Sequence, residues 1–261
     1  MNRHVRWLYL FVLAHFFFLG QMAVAQSPSI VSSSSPGFKP GLRFDYFSRT
    51  VGWDGGKSKS QLNSYFASLV LGYEIQPGFF LAAIVGYSSS TFEGLTFRKL
   101  PISIDFEGGG ISGLVFGAQI DKSLLRGTRL DIDIFGQFLT YQGTKKKWDI
   151  PGLAVPGTLE GTPTWRRASI GPVFTYKSSK NFSPYLYPSF DYLWGTFEMK
   201  ETVQSLQGLE KKEIKAKSPF GITAGAKVSS SAKLAINAEV GAYPYNGGVD
   251  YSAMIAVLFS F

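Results

Sequence analysis

The sequence predicts an all-β chain: a transmembrane, antiparallel, up-and-down β-barrel of about ten strands. Three observations point there. From residue 41 onward, about ten segments alternate apolar with polar or small side chains, the period-two pattern of strands with one greasy face. The connections between them alternate between short and long, as when a chain is threaded through a bilayer from one side. Aromatic residues reach 16% and glycines number 29 at a mean hydropathy of only +0.06, which is what results when apolar residues are spread over many half-apolar strands.

Arg3, His4 and Arg6 precede an apolar run from Trp7 to about Leu19, and Ala23-Val24-Ala25 follows as a small-x-small site, so residues 1–25 are expected to be a cleaved export signal. The run falls short of the roughly 20 residues a spanning helix needs. Residues 26–40 are rich in Ser and Pro and read as a flexible leader. The barrel is expected over 41–261, with strands at about 41–51, 63–75, 79–92, 110–121, 128–142, 164–177, 184–197, 218–229, 233–244 and 249–261. Short turns are expected at Gln76-Pro77-Gly78, 122–127, 178–183 and 230–232. Long loops are expected at 52–62, 93–109, 143–163 and 198–217, and Tyr245-Asn246-Gly247-Gly248 makes a tight last hairpin.

Cost decides which parity meets lipid. A Lys or Arg on the lipid face at the bilayer midplane costs about 2 to 4 kcal/mol, so the charged parity points inward. That rule places Arg43, Asp45, Glu74, Asp131, Asp133, Arg167, Lys177, Asp191, Lys227 and Glu239 in the lumen as a charge network. It leaves Leu42, Phe44, Leu69, Ile170, Phe190 and Ile222 outside. Tyr46, Tyr73, Tyr87, Tyr176, Tyr192 and Trp194 are candidates for aromatic girdles at headgroup level. Phe80, Ala82 and Ile84 fall on the inward parity and fit this scheme badly. A secreted, soluble β-barrel or sandwich is the rival architecture.

The last segment puts Tyr251, Ala253, Ile255, Val257, Phe259 and Phe261 on one parity. It resembles the sorting strand that the assembly machinery of Gram-negative bacteria reads, with Tyr251, Val257, Phe259 and Phe261 as the assembly signal. The chain as a whole resembles the superfamily of small bacterial outer-membrane barrels. That resemblance implies export to the outer membrane, a leader on the periplasmic side, contact with lipid and lipopolysaccharide, the barrel assembly machinery as a partner, a monomeric state, and no nucleic-acid partner.

The chemistry available is narrow. The chain has no cysteine, and His4 and His15 both lie within residues 1–25. Disulfides and thiolate metal sites are thus excluded. The outer-membrane proteases, deacylases, acyltransferases and phospholipases built on small barrels use a histidine as base or orienter. No such residue can be assigned here. Asp131 and Asp133 share a face and could in form act as a carboxylate pair, but neighbouring lumen cations make them ion-pair partners first. Neither catalytic residue, metal site nor cofactor is expected.

Removing Arg3 and Arg6 leaves 24 basic against 18 acidic residues, a surplus suited to anionic headgroups. Lys145, Lys146 and Lys147 follow Tyr141 closely and are the candidate lipopolysaccharide contact. A second basic run, Lys211, Lys212, Lys215 and Lys217, alternates with Glu210 and Glu213 in the fourth long loop. The function expected is a non-enzymatic structural or surface-interaction role. A narrow ion or small-solute channel is the alternative, because ten strands leave little free bore once opposite charges fill it.

Overall fold

The computed structural model describes residues 37–150, 155–231 and 234–260. Among them are twelve strands in a single antiparallel sheet. They are β1 (Gly37–Trp53), β2 (Ser58–Gln76), β3 (Phe79–Phe97), β4 (Ile104–Arg126), β5 (Leu130–Gly143) and β6 (Lys146–Asp149). The rest are β7 (Gly157–Tyr176), β8 (Phe182–Val203), β9 (Leu206–Ala216), β10 (Phe220–Ser231), β11 (Leu234–Tyr245) and β12 (Gly248–Phe259). Ten of them close a ring, β1-β2-β3-β4-β5-β7-β8-β10-β11-β12, sealed where β12 pairs with β1 from Gly41↔Leu258 to Ser48↔Tyr251. The chain thus forms a closed up-and-down barrel, and closure removes every free sheet edge from the ring.

The strand count exceeds the expected ten because two expected loops are largely strand. Most of the far-rim connections continue the ladders of the staves they leave: β1 runs to Trp53, β3 to Phe97 and β8 to Val203. The expected loops at 143–163 and 198–217 contain β6 and β9. Alternation persists there, with Phe197, Met199 and Glu201 buried on one face of β8 and Glu198 and Lys200 exposed on the other. β1 also begins at Gly37, inside the segment expected to be a leader. Pro40 sits one residue before the β12 ladder starts, a position where a missing N–H leaves no ladder bond unmade.

β10, β11 and β12 are shorter than their neighbours and stop partway up the wall. Above them, β9 bridges the gap, pairing with β8 from Trp194↔Lys215 to Val203↔Leu206 and with β1 at Val51↔Ala216 and Gly52↔Lys215. Three staves give way to one. The upper wall therefore contains eight staves, β1-β2-β3-β4-β5/β6-β7-β8-β9, in which β6 pairs with β7 alone. An eight-stranded interior is just wide enough for side chains to fill. Β-turns at the opposite rim are tight: Gly78 (φ 77) closes β2 onto β3 in a conformation that favours glycine.

The outward faces of the ten-stave portion are apolar. On β2, Tyr65, Leu69, Leu71, Tyr73 and Ile75 are all exposed, with Ala67 between. Those ten residues of rise, at about 3.4 Å each and tilted by about 40°, cover roughly 25 Å, the height of a lipid-facing band. Leu42, Phe44, Val85, Phe116, Ile120, Ile170, Phe190, Ile222 and Ile255 extend the belt round the ring. The outward parity expected for β2 and for Leu42, Phe44, Ile170, Phe190 and Ile222 matches the observed exposure.

Candidate functional site

The bore is where the charged residues converge, in layers set by register. Nearest the short-turn rim, Lys39 bonds Glu74, and Arg126 bridges Asp131 (3.0 Å) and Asp133 (3.1 Å), with Lys177 on Asp131 at 2.8 Å. Both aspartates that could have formed a carboxylate pair are thus committed to cations. In the next layer Arg43 grips Asp45 through two bonds of 2.7 Å and reaches Gln119 and Gln137. Across the bore, Tyr185 and Tyr187 donate to Glu239 at 2.7 and 3.3 Å. Lys227 lies on the inward parity of β10, opposite Asn237.

The third layer sits where the wall narrows. Arg49, 1% exposed, donates to Asp191 Oδ1 (2.6 Å) and to the Ser218 carbonyl (2.5 Å), and its guanidinium lies 4.0 Å from the Tyr243 ring centre. Arg167 takes the other Asp191 oxygen at 2.6 Å and donates to the Tyr243 hydroxyl at 2.7 Å. Asp250 accepts from the Thr50 N–H and hydroxyl at 2.7 and 2.8 Å, just above the last β1–β12 pair. Lys217 N–H bonds the Thr50 carbonyl and Asp191 N–H the Pro219 carbonyl. These groups satisfy the backbone at the point where β1 and β8 exchange partners, so the charges here hold the seam together.

Beside and above the third layer the lumen turns largely apolar, with Leu139 and Leu193 paired to Arg167 and the Phe47 ring 5.7 Å from its guanidinium. Phe47, Phe66, Trp165, Tyr141, Leu139, Ile84 and Leu193 form one buried cluster that continues through Phe92, Phe97, Phe106 and Phe197. Phe47 meets Trp165 edge-on at 5.2 Å, and Tyr141 stacks on Trp165 at 5.4 Å. The expected charge network thus shares the lumen with a large apolar cluster, and most of its ion pairs lie toward the short-turn rim and at the seam. The inward apolar residues that fitted badly, Ala82 and Ile84, are members of this cluster and Phe80 packs against it, in the ten-stave part where Ala82 pairs with Gln119.

A cap closes the far end. The segment 98–103 folds over the cluster, with Leu100 buried in it. Glu210 accepts the Lys99 N–H at 2.7 Å and Glu201 the Ile102 N–H at 3.1 Å. Lys212 ties Glu210 (2.8 Å) to Asp54 (3.1 Å). One of the four lysines of the second basic run, Lys212, is therefore internal, since β9 alternates Glu210, Lys212 and Ile214 inward with Lys211, Glu213 and Lys215 outward.

On the outer wall, Lys145 and Lys147 are largely exposed and share Glu160 at 3.3 and 3.8 Å. Lys146 turns away onto the Gly110 carbonyl at 2.9 Å. The three ammonium groups expected side by side are thus two plus one. Tyr251 and Phe259 of the expected assembly signal are exposed and Val257 is half-buried. Phe261, like residues 1–36, lies outside the described residues.

No family model matches the chain, and no curated protein does. Among solved structures it is similar to the outer membrane protease OmpT of Escherichia coli, at 10% identity over 90% of this chain and 100% of that one, TM-score 0.49. It is also similar to an outer membrane channel from Pseudomonas putida (12%, 91% and 100%, TM-score 0.39). A third is Ail, the attachment invasion locus protein of Yersinia pestis (10%, 86% and 99%, TM-score 0.32). At these identities no residue role carries over from any of them.

Of the expected lumen residues, Arg167 and Asp191 meet directly, as do Arg43 and Asp45, and Asp131 and Lys177. Arg49, Asp250, Arg126 and the Tyr185, Tyr187 and Tyr243 hydroxyls complete the layers without having been singled out. Parity contained the signal for Arg49, which shares its face of β1 with Arg43 and Asp45.

Proposed function

We propose that this chain is a non-catalytic barrel of the bacterial outer membrane, closed to solute, with a structural or surface-interaction role. The buried aromatic cluster centred on Trp165 carries the closed reading, because Trp165 and Tyr141 are 0% exposed and Phe47 and Phe66, which pack on Trp165 from β1 and β2, are 1% and 4% exposed. The membrane reading is supported by a wall that is apolar outside and charged inside, the reverse of a water-soluble barrel. The lack of any histidine after residue 25 and the commitment of Asp131 and Asp133 to Arg126 and Lys177 support a non-catalytic role. Lys145 and Lys147, two cations sharing one acid above the belt, suit phosphate groups of lipopolysaccharide.

Planar-bilayer recording tests this. The refolded protein is expected to give no stepwise conductance. Reproducible unit openings that change when Arg43 or Arg49 is replaced would overturn the closed reading in favour of a narrow channel.

A further inference from the structure

A depression of about 580 Å³ lies in the outer wall at the seam, beside the β11–β12 turn. Register builds it. Three successive outward rows cross β12, β1, β2 and β3: the first contains Tyr46 and Tyr65, the second Tyr251, Ser48, Asn63 and Thr91, and the third Thr50, Gln61 and Glu93. Below the first row the outward residues are Phe44, Leu69 and Ile255 of the apolar belt. The wall thus changes from hydrocarbon to hydroxyl and amide within one row. The small side chains of the second row leave a hollow between the tyrosines beneath and Tyr245 of the turn, which also lines it.

The hollow is preorganised. Tyr46 packs on Tyr65 at 4.5 Å and lies 5.8 Å from Tyr251. Ser48 donates to Asn63 Oδ1 at 2.6 Å while accepting from Gln61 Nε2 at 2.7 Å. With its Oδ1 taken by Ser48, Asn63 has its amide N–H groups to offer as donors, and Glu93, which also lines the hollow, supplies an acceptor. Aromatic faces, amide donors and a carboxylate acceptor together match a pyranose ring, which offers an apolar C–H face and hydroxyls needing both kinds of partner. Inside the hollow a phosphate would meet the Glu93 carboxylate, while Asp250 is held by Thr50 and Arg49 and the Lys59 ammonium lies 5.8 Å from the Tyr245 ring.

We infer that this hollow binds a sugar of an outer-leaflet glycolipid, whose acyl chains would run down over Phe44, Leu69 and Ile255. The site is separate from Lys145 and Lys147. It rests on the outer-membrane reading, and the two are tested apart. The probe is rough lipopolysaccharide presented in detergent micelles to the full refolded protein, with binding followed by native mass spectrometry and titration. Asn63→Leu and Thr91→Leu, both on the open face, fill the hollow. Heat-modifiable gel mobility reports whether each variant is a barrel.

Saturable binding to the wild-type protein that falls about tenfold in either folded variant, the loss of one or two hydrogen bonds, is the expected result. Binding should survive enzymatic dephosphorylation of the glycolipid. Equal affinity of wild type and folded variants would overturn the site. So would loss, on dephosphorylation, of the binding that a Lys145→Ala/Lys147→Ala variant retains, which would assign the contact to phosphate. Equal affinity for the soluble core oligosaccharide would replace the membrane source by a free glycan. If the wild-type chain stays in solution without detergent and does not float with vesicles, the outer-membrane reading itself fails.

Discussion

Arg49 shows how much one buried charge can organise. Its guanidinium joins β1 to Asp191 of β8 and to the Ser218 carbonyl between β9 and β10, and covers the Tyr243 ring of β11. Four parts of the wall meet on one side chain. Replacing it by Met removes the cation, leaving Asp191 with Arg167 and the Ser169 hydroxyl and the Ser218 carbonyl without its donor. Breaking a buried pair in this way costs about 3 to 5 kcal/mol, so R49M should lower the urea midpoint of the refolded barrel well below that of the wild type. An unchanged midpoint would show that Arg167 is sufficient. Parity reasoning could have turned Arg49 inward with Arg43 and Asp45. Its partners could not have been read, because Asp191 lies 142 positions away and only the closed ring brings β8 across from β1.

At the scale of elements, β9 and the cap are what distinguish this wall from a plain ten-stave cylinder. The run Glu210-Lys211-Lys212-Glu213 carries charge on both faces, so it shows no apolar alternation and reads as a solvated loop. Tertiary context overrides that reading: Glu210 and Lys212 neutralise one another inside while Lys211 and Glu213 meet water. The cap depends on this strand. Hydrogen bonds to an ionised acceptor contribute about 1.5 to 3 kcal/mol each, and Glu201 and Glu210 each hold one backbone N–H of 98–103. The double replacement E201A/E210A should release the segment. Trypsin added to intact cells would then cut after Arg98 or Lys99 at least about tenfold faster than in the wild type, with the barrel otherwise intact by gel mobility. Equal resistance would mean that Leu100 packing alone holds the cap.

For the whole molecule, the proposed membrane setting is tested by a contrast between two parts of the outer wall. Leu69 and Leu209 are similarly exposed, at 54% and 62%. Leu69 lies in the apolar belt of β2, whereas Leu209 pairs with Lys200, three outward positions above Trp194. L69R should cost about 2 to 4 kcal/mol in liposome unfolding, and L209R close to nothing. Equal costs would remove the membrane from the account. The length of the belt on β2, about ten residues, was legible from alternation, and of the expected girdle residues Tyr73, Tyr87 and Tyr176 are exposed while Tyr46, Tyr192 and Trp194 are half-buried.

The amino-acid order by itself determined that the chain is a barrel, which face of each stave is apolar, and that no histidine or cysteine chemistry operates after residue 25. These follow from period two, from the cost of charge in hydrocarbon and from composition, all local or additive quantities. Only the tertiary structure decided that three staves give way to one, that the narrowed bore is packed with aromatics, and that β12, β1, β2 and β3 align a hollow on the outer wall. Such features depend on which distant strands share hydrogen bonds and in what register, and a period-two pattern is the same for every register that keeps its parity.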